Sequence, residues 1–345
     1  MDYKTKQARG FFDEEFRLGK LTSQKDPLVK LAERIDFELF RPLLEEGFCK
    51  EDKGIGGARP YDYVLMFKIL ILQRYYNIGD DKMEFQILDR LSFMRFLGLT
   101  LSDKVPDAKT IWLFRENLTQ RNLTEKLFEL FLSELQKKGL LMNEGKMVDA
   151  SFVEVPIQRN SREENKQIKE GQTPDEWKED PHKLSQKDTD ARWTKKNGKS
   201  YYGYKDHVKA DEKSKLIDAY AVTDASVHDS QETENLLTEN DKGQPLHADS
   251  AYSGEPIAKI VEEKEMINRI HEKGYKNKPL TDEQKASNKI KSRTRARVEH
   301  IFGFIENSMN GPFIRSIGIK RATAIIGLMN LTYNMFRYMQ LVSSG

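Results

Sequence analysis

Residues 146–155, KMVDASFVEV, decide the fold of this chain, because a helical pattern changes to a strand pattern there. Alternation along this stretch puts the following residues on one face of the strand: Met147, Asp149, Ser151, Val153 and Val155. An aspartate inside an apolar run is costly unless a positive charge accompanies it. The pattern therefore predicts a strand on which Asp149 binds a metal ion, or alternatively an edge-strand or turn aspartate.

Two further acids stand in equally distinctive surroundings downstream. Asp249 closes a short apolar run in PLHADSAYSG, residues 245–254, and Glu299 lies in the basic, helical TRARVEHIFGF, residues 294–304. Asp249 is alternatively a strand-terminating cap. Glu299 is alternatively the partner of Arg295, which lies four residues earlier on the same helical face.

Three carboxylates from two strands and a helix suit phosphoryl transfer on nucleic acid. A phosphodiester repels nucleophiles, and two divalent ions roughly 3.5–4 Å apart neutralise that charge. We predict that Asp149, Asp249 and Glu299 are catalytic residues that together bind two ions of Mg²⁺ or Mn²⁺, which prefer oxygen ligands. Without a cation, three such carboxylates would repel one another.

Other residues compete for the same roles. Asp224 or Asp229 is an alternative to Asp249 as the second ligand, and His228 is a candidate to line the pocket. The six histidines form no pair spaced by four residues and there is one cysteine, Cys49, so no zinc site is predicted. A single cysteine also excludes an intrachain disulfide and fits a reducing compartment.

Residues 1–140 read as helical, since apolar residues recur there at intervals of three and four. The segments QILDRLSFMRFLGL and DAKTIWLFRENL, separated by a polar turn, form a candidate helix-turn-helix. Asp107 or Thr110 would cap its second helix. That helix either recognises DNA or belongs to an ordinary helix pair.

After the first strand, residues 159–200 are nearly half charged, and we predict a long exposed insertion. The following elements are then predicted in order: a hairpin with its turn near 211–215, a helix from Ser230, a strand ending at Asp249, a helix at 256–265, a strand at 266–272 and a helix at 282–307. This order resembles the α/β ribonuclease-H-like fold, a mixed five-stranded sheet with flanking helices, here preceded by an all-helical amino-terminal domain.

Three regions follow from these patterns. They are a helical DNA-binding or dimerisation region at 1–140, a catalytic domain at 141–310 and a carboxy-terminal helix at 311–345 that joins the core or forms a dimer interface. Residues 322–342 are apolar, but Asn330, Asn334 and other polar residues interrupt them, so no membrane span is predicted. The amino terminus lacks an apolar signal core. We expect a soluble, cytoplasmic protein.

Charge is concentrated locally although the net charge of the 345 residues is only +2. Residues 271–300 carry nine Lys or Arg against four Asp or Glu, a net charge of +5. Residues 192–205, RWTKKNGKSYYGYK, interleave basic and aromatic side chains. Such patterns suit phosphate contact and base stacking, although solvated helix faces and loops whose aromatics join the core also produce them. Of those aromatics, Tyr202 and Tyr204 are predicted to join the core.

The chain resembles the DDE transposases of bacterial insertion sequences, in the group labelled insertion sequence family five. The resemblance covers nearly the whole chain and rests on GGARPYDYVLMFKILILQRYYNIGDDKMEFQILDRLSFMRFLGL, VPDAKTIWLFRENL, VDASFVEVP, DARWTKKNGKSYYGYKDHV, VTDASVHDSQ, ADSAY and RARVEHIFG, in that order. It implies that Asp149, Asp249 and Glu299 are the catalytic triad. The family often has a tyrosine and a lysine where this chain has Ser292 and Glu306.

The resemblance implies binding to terminal inverted repeats, hydrolysis at the element end and joining of the 3′ hydroxyl to target DNA. It also implies a homodimer, since two ends must be held together, and association with the bacterial nucleoid. The predicted DNA-binding residues are Lys195, Lys196, Lys205, Lys291, Arg293, Arg295 and Arg297. Arg295 would steady Glu299 or contact a phosphate, and the basic residues near Ser292 would substitute for the missing family side chains.

Two other functions are compatible with the same sequence. One is a metal-dependent nuclease of this fold that cuts DNA without joining it. The other is a transposase-derived regulator that binds DNA but has no catalytic activity.

Overall fold

The structure of the chain is a computed structural model, which describes residues 10–48, 59–275 and 278–343. Cys49 and Lys276, which belongs to the basic stretch at 271–300, lie outside these ranges. The amino-terminal helices are α1 (Asp13–Ser23), α2 (Pro27–Arg34), α3 (Arg41–Phe48), α4 (Tyr63–Tyr76), α5 (Asp80–Asp89), α6 (Leu91–Leu97), α7 (Ala108–Gln120) and α8 (Leu123–Lys137). This part of the chain is helical, as predicted.

The predicted helix pair lies at α6 and α7. The carboxylate of Asp107 caps α7 by accepting a hydrogen bond from the backbone N–H of Thr110 at 2.7 Å. Such a cap satisfies one of the free N–H groups at a helix start. On α7 Ile111, Phe114 and Leu118 are buried, and this side of the helix packs into the core.

Six strands form one mixed sheet: β1 (Lys146–Glu154), β2 (Arg192–Lys196), β3 (Lys199–Asp211), β4 (Ile217–Asp224), β5 (Pro245–His247) and β6 (Ile267–Asn268). β3 pairs antiparallel with β1, β2 and β4, whereas β1, β5 and β6 are parallel neighbours. The predicted hairpin is β3–β4. The predicted fold class is confirmed, with six strands instead of five because β2 adds to the first residues of β3.

Eight further helices follow β1: α9 (Arg162–Lys169), α10 (Asp175–Lys178), α11 (Pro181–Ser185), α12 (Thr233–Leu236), α13 (Glu255–Glu263), α14 (Asp282–Arg295), α15 (Glu299–Ser308) and α16 (Ile319–Ser343). One continuous helix over 282–307 is therefore wrong. It ends at Arg295, and Arg297 and Val298 make i to i−3 hydrogen bonds that tighten the backbone before α15 begins.

The predicted insertion at 159–200 is more ordered than its charge indicates. Trp177 is fully buried, and its indole N–H donates to Glu164 at 2.6 Å. The buried carboxylate of Asp188 accepts hydrogen bonds from the hydroxyl of Tyr204 and the N–H of Gly318. Short capped helices and these hydrogen bonds order the segment, and Trp177 and Asp188 are buried exceptions within the predicted exposed insertion.

Helix α16 connects the two halves of the chain. It packs against α8, α4 and β4, and its apolar residues share one continuous core with the amino-terminal helices and one face of the sheet. The amide of Asn334 donates to the backbone oxygen of Ile217 and accepts from its N–H, which explains one polar interruption. The structure thus places the apolar residues of α16 inside the chain's own core. The division at 140 and 310 stays a prediction.

Over the three described ranges, no helix is both long and apolar enough to cross a membrane. The polar groups that interrupt the sequence of α16 face internal partners: the amide of Asn330 donates to the carboxylate of Asp206 at 3.1 Å.

Candidate active site

Asp149 and Asp249 meet where two parallel strands run side by side. Met147 of β1 is paired with His247 of β5, so Asp149 and Asp249 each follow that pair by two residues. Asp249 caps a short 3₁₀ turn by accepting from the N–H of Ala251 at 2.7 Å. The sequence therefore delivers two carboxylates to neighbouring strand positions, and Asp249 is both a cap and a candidate ligand.

Burial dominates the electrostatics of Asp149, of which only 7% is exposed. Loss of water raises the pKa of its carboxyl, and the charge of Arg295 opposes that rise. Nearby Asp249 raises it further. A divalent cation at this position would stabilise the ionised form of Asp149 against both effects.

Arg295 lies between the first and third predicted acids. Its guanidinium donates to Asp149 at 3.1 Å, and it contacts Glu299 at 3.5 Å. Burial lowers the pKa of Arg295, but Asp149, with Asp249 and Glu299, more than compensates, and the net effect is a raised pKa. Its Nε is buried and has no partner among the residues that the structure describes. Arg295 thus supplies positive charge beside Asp149.

Glu299 is the first residue of α15, and 61% of its side chain is exposed. It lines an open groove of about 570 Å³, the Glu299 groove, together with Lys215, His300, Phe304, Tyr333 and Arg337. Burial lowers the pKa of Lys215, as do the nearby Arg337 and Arg297. The groove is therefore a positively charged recess beside an acid.

The structure brings Asp149 and Asp249 together and leaves Glu299 at the edge, joined to them through Arg295. In the described ranges no group of three His, Cys, Asp or Glu residues is arranged to hold a metal ion. The donor chemistry nevertheless fits Mg²⁺ or Mn²⁺, because the two aspartates offer hard oxygen ligands at one position. They are the residues that would hold such an ion.

The competing acids are committed elsewhere. Asp224 accepts hydrogen bonds from the N–H and hydroxyl of Ser226 in a turn. Asp229 is buried, with Lys205 at 2.7 Å and Lys196 at 3.4 Å. The exposed His228 caps the turn that follows it.

Sequence reasoning missed Tyr252, which lies one turn after Asp249. Its ring is buried, and its hydroxyl has no hydrogen-bond partner in the described part of the chain. Burial raises the pKa of that hydroxyl, and the charges of Asp149, Asp229 and Asp249 raise it further. Tyr252 therefore lies among the acids. The only signal for it was its position in ADSAY.

The predicted DNA-binding residues separate into exposed and internal groups. Arg293 and Lys195 are exposed. Lys291 is largely covered and donates to the backbone oxygen of Ile270 at 2.9 Å, while Arg297 contacts Glu212. The structure contradicts the prediction that Lys205 faces DNA, because its side chain points inward.

The side chain of Lys205 is only 9% exposed and pairs with Asp229. Tyr202 and Tyr204, which point to the other face of β3, are buried as predicted. Trp193 on β2 remains 45% exposed. The β2–β3 hairpin, with Asn197 and Gly198 at positive φ in its turn, thus presents some of the predicted side chains and buries others.

Comparison with known proteins gives two family matches. A sequence-family model described as "Transposase domain (DUF772)" matches residues 16–117, and one described as "Transposase DDE domain" matches residues 144–335. The fold is similar to that in the cryo-EM structure of a piggyBac transposase synaptic complex with hairpin DNA, with a TM-score of 0.45 and 13% sequence identity over 92% of this chain and 76% of that chain.

Proposed function

This chain belongs to the transposase DDE domain family and is a DNA transposase; we propose that it moves a bacterial insertion sequence of the family five group. In this proposal it binds the terminal inverted repeats of its element, cleaves the element ends and joins them to target DNA. The alignment of Asp149 in β1 with Asp249, two residues after the parallel strand β5, is the observation that supports it most directly.

Asp149, Asp249 and Glu299 act as the metal-binding triad in this proposal. Mg²⁺ or Mn²⁺, when bound, supplies charge neutralisation at the phosphodiester and activates the attacking oxygen. Asp149 and Asp249 form the shared part of the site because they are already adjacent. Glu299 completes it from the start of α15, to which Arg295 links it at 3.5 Å.

Arg295 positions this site through its two acidic partners. Its contact with Asp149 favours the ionised carboxylate that a ligand must present, against the effect of burial. In each chemical step a new bond forms between phosphorus and the attacking oxygen, and the bond from phosphorus to a 3′ oxygen breaks. Water attacks first, and the freed 3′ hydroxyl of the element attacks the target strand second.

Exposed basic residues on two sides of the acids hold the DNA backbone in this proposal. Arg293 lies on α14, two residues before Arg295, and Lys195 projects from the β2–β3 hairpin beside the exposed Trp193. The cations of the Glu299 groove, including Lys215, would neutralise a strand that approaches Glu299. Two such chains would hold the two element ends as a homodimer.

The test is cleavage and joining of labelled DNA that carries the element's own ends, with Mg²⁺ or with chelator. The variants are Asp149→Asn, Asp249→Asn and Glu299→Gln, which keep side-chain size and remove charge. Asp175→Asn is the matched control, since that carboxylate is exposed on α10. We expect metal-dependent nicking and strand transfer in wild type and control, and loss of both in the three variants.

Each other outcome rejects the proposal in a different way. Nicking without joined product would identify a nuclease. Binding to the ends without cleavage, unaffected by the three substitutions, would identify a regulator. A sedimentation measurement on the DNA-bound protein tests the dimer, because one chain per pair of ends would refute it.

A further inference from the structure

A second basic recess lies away from the acids, between the amino-terminal helices and the segment that leads into α16. We call it the arginine pocket; it has a volume of about 300 Å³, and its lining includes Asp80, Trp112, Arg115, Arg315, Ser316 and Arg321. It shares no lining residue with the Glu299 groove. The pocket is therefore separate from the predicted catalytic acids and from the basic stretch around Glu299.

Two of its arginines are fully matched by carboxylates. Arg115 makes a two-pronged ion pair with Asp80 at 2.5 and 2.6 Å. Arg321 makes a similar pair with Glu116 at 2.7 and 2.9 Å. These pairs fix the walls of the pocket, because bidentate contacts hold both guanidinium planes in one orientation.

Arg315 is not neutralised in this way. Among the described residues, its Nη1 makes hydrogen bonds only to the backbone and side-chain oxygens of Asn77, at 3.4 and 3.1 Å, and these are uncharged. Its guanidinium lies 5.0 Å from the centre of the Phe313 ring, and the residue is exposed. A charge held against neutral oxygens and an aromatic ring is available to an anion.

Arg74 adds positive charge behind the pocket. Burial lowers the pKa of Arg74, and so do the charges of Arg115 and Arg315, while Asp80 opposes them. With Asp80 and Glu116 already engaged by Arg115 and Arg321, the pocket has an excess of positive charge. An arginine whose ionised form is disfavoured by its neighbours would be stabilised by an additional anion.

The remaining lining groups are suited to a nucleotide. The hydroxyl of Ser316 is buried and lacks a hydrogen-bond partner among the described residues, so a further donor or acceptor is available. Trp112 is 45% exposed although it is a large aromatic side chain. It lies one turn before Arg115 and Glu116 on the same side of α7, so its ring is at the pocket mouth.

We propose that the arginine pocket binds a backbone phosphate of DNA through Arg315 and Ser316, with the ring of Trp112 stacking on an adjacent base or sugar. This inference rests on the proposed function, because the anion is taken to belong to DNA. In this proposal the exposed side of α7, near the loop at 311–318, contacts DNA. The pocket is separate from the site where DNA is cut.

The experiment measures binding of fluorescein-labelled DNA carrying an element end, by anisotropy, over a series of salt concentrations. The variants are Arg315→Gln and Trp112→Ala in the full chain, and the matched control is Arg17→Gln on α1, where the arginine is exposed. We expect Arg315→Gln to weaken binding by about tenfold and to reduce the slope of log K against log salt by about 0.9. Trp112→Ala should weaken binding with an unchanged slope, since it removes no charge.

Melting temperatures of the variants are measured in parallel. The melting temperature of Arg315→Gln should equal that of wild type because Arg315 is exposed. Wild-type binding that neither variant alters would overturn the pocket and leave the proposed function standing. No wild-type binding to DNA would reject both. Titration with inorganic phosphate distinguishes a small-anion site: phosphate binding that Arg315→Gln abolishes, with DNA affinity unchanged, would also overturn the proposal.

Discussion

Replacing Asp206 with asparagine should stabilise this protein, and by more at pH 8 than at pH 5. Asp206 lies on β3 and is 1% exposed beneath α16. Its Oδ1 accepts a hydrogen bond from the amide of Asn330 at 3.1 Å. Its Oδ2 and the Oδ1 of Asn330 both lack partners among the described residues, as expected if the carboxyl carries a proton that it shares with Asn330.

Burial raises the pKa of Asp206 from 3.8 to about 7, and the hydrogen bond from Asn330 only partly opposes it. The folded state therefore keeps a proton that the unfolded state releases between these pH values, so stability falls as pH rises through that window. The full cost of the charge above pH 7 is about 4 kcal/mol at 1.36 kcal/mol per pH unit. At pH 5 the same linkage gives about 2 kcal/mol.

Urea denaturation of wild type and Asp206→Asn at pH 5 and pH 8 measures both values. The stabilisation should be larger at pH 8 by about 2 kcal/mol. Asp81→Asn, at an exposed position on α5, controls for the general effect of losing one negative charge. A stability difference that is the same at both pH values, or a destabilised variant at pH 8, would refute the reasoning.

Three other substitutions test the packing. Gly203→Ala places a Cβ 2.3 Å from a backbone oxygen of β1, at a residue whose φ is +147°. It should lower the free energy of unfolding by more than about 2 kcal/mol, whereas the control Gly303→Ala, on open helix surface, should not lower it. Equal melting temperatures of the two variants would contradict this prediction. Asp241→Ala removes the carboxylate that lies 2.6 Å from the buried Lys209, its closest partner. The free energy of unfolding, measured by urea denaturation, should fall by about 3–5 kcal/mol. A fall below about 1 kcal/mol would show that the remaining acids are enough to neutralise Lys209. Tyr252→Phe removes a hydroxyl that has no hydrogen-bond partner in the described ranges, and should change stability by less than about 1 kcal/mol in a thermal melt. A larger loss would reveal a hidden hydrogen bond.

The neighbouring positions of Asp149 and Asp249 followed from sequence because strands and the acids that end them have short-range signatures. Each acid interrupts or closes an apolar run, and the sheet then needs only parallel pairing of β1 with β5 to align them. The position of the third acid, Glu299, at the start of a helix could not be predicted in the same way. Residues 294–304 contain no proline and their one glycine comes late, so propensity alone predicts a continuous helix.

The break before Glu299 depends on contacts that are distant in sequence. Arg297 donates to the backbone oxygen of Glu212, and Val298 is fully buried, so the chain must turn between α14 and α15. Lys205 was misjudged for a related reason. A lysine among aromatic residues resembles a DNA-binding surface, and its burial became evident only through Asp229, which lies on another element.

Because α16 spans residues 319–343 and fills the middle of the shared core, the ribosome must finish most of the chain before that core can close. Until then the amino-terminal helices and one face of the sheet expose the apolar surfaces that α16 later covers, which makes the incomplete chain prone to aggregation. A copy of the gene interrupted before codon 319 would yield a chain without this helix. Such a product should be degraded.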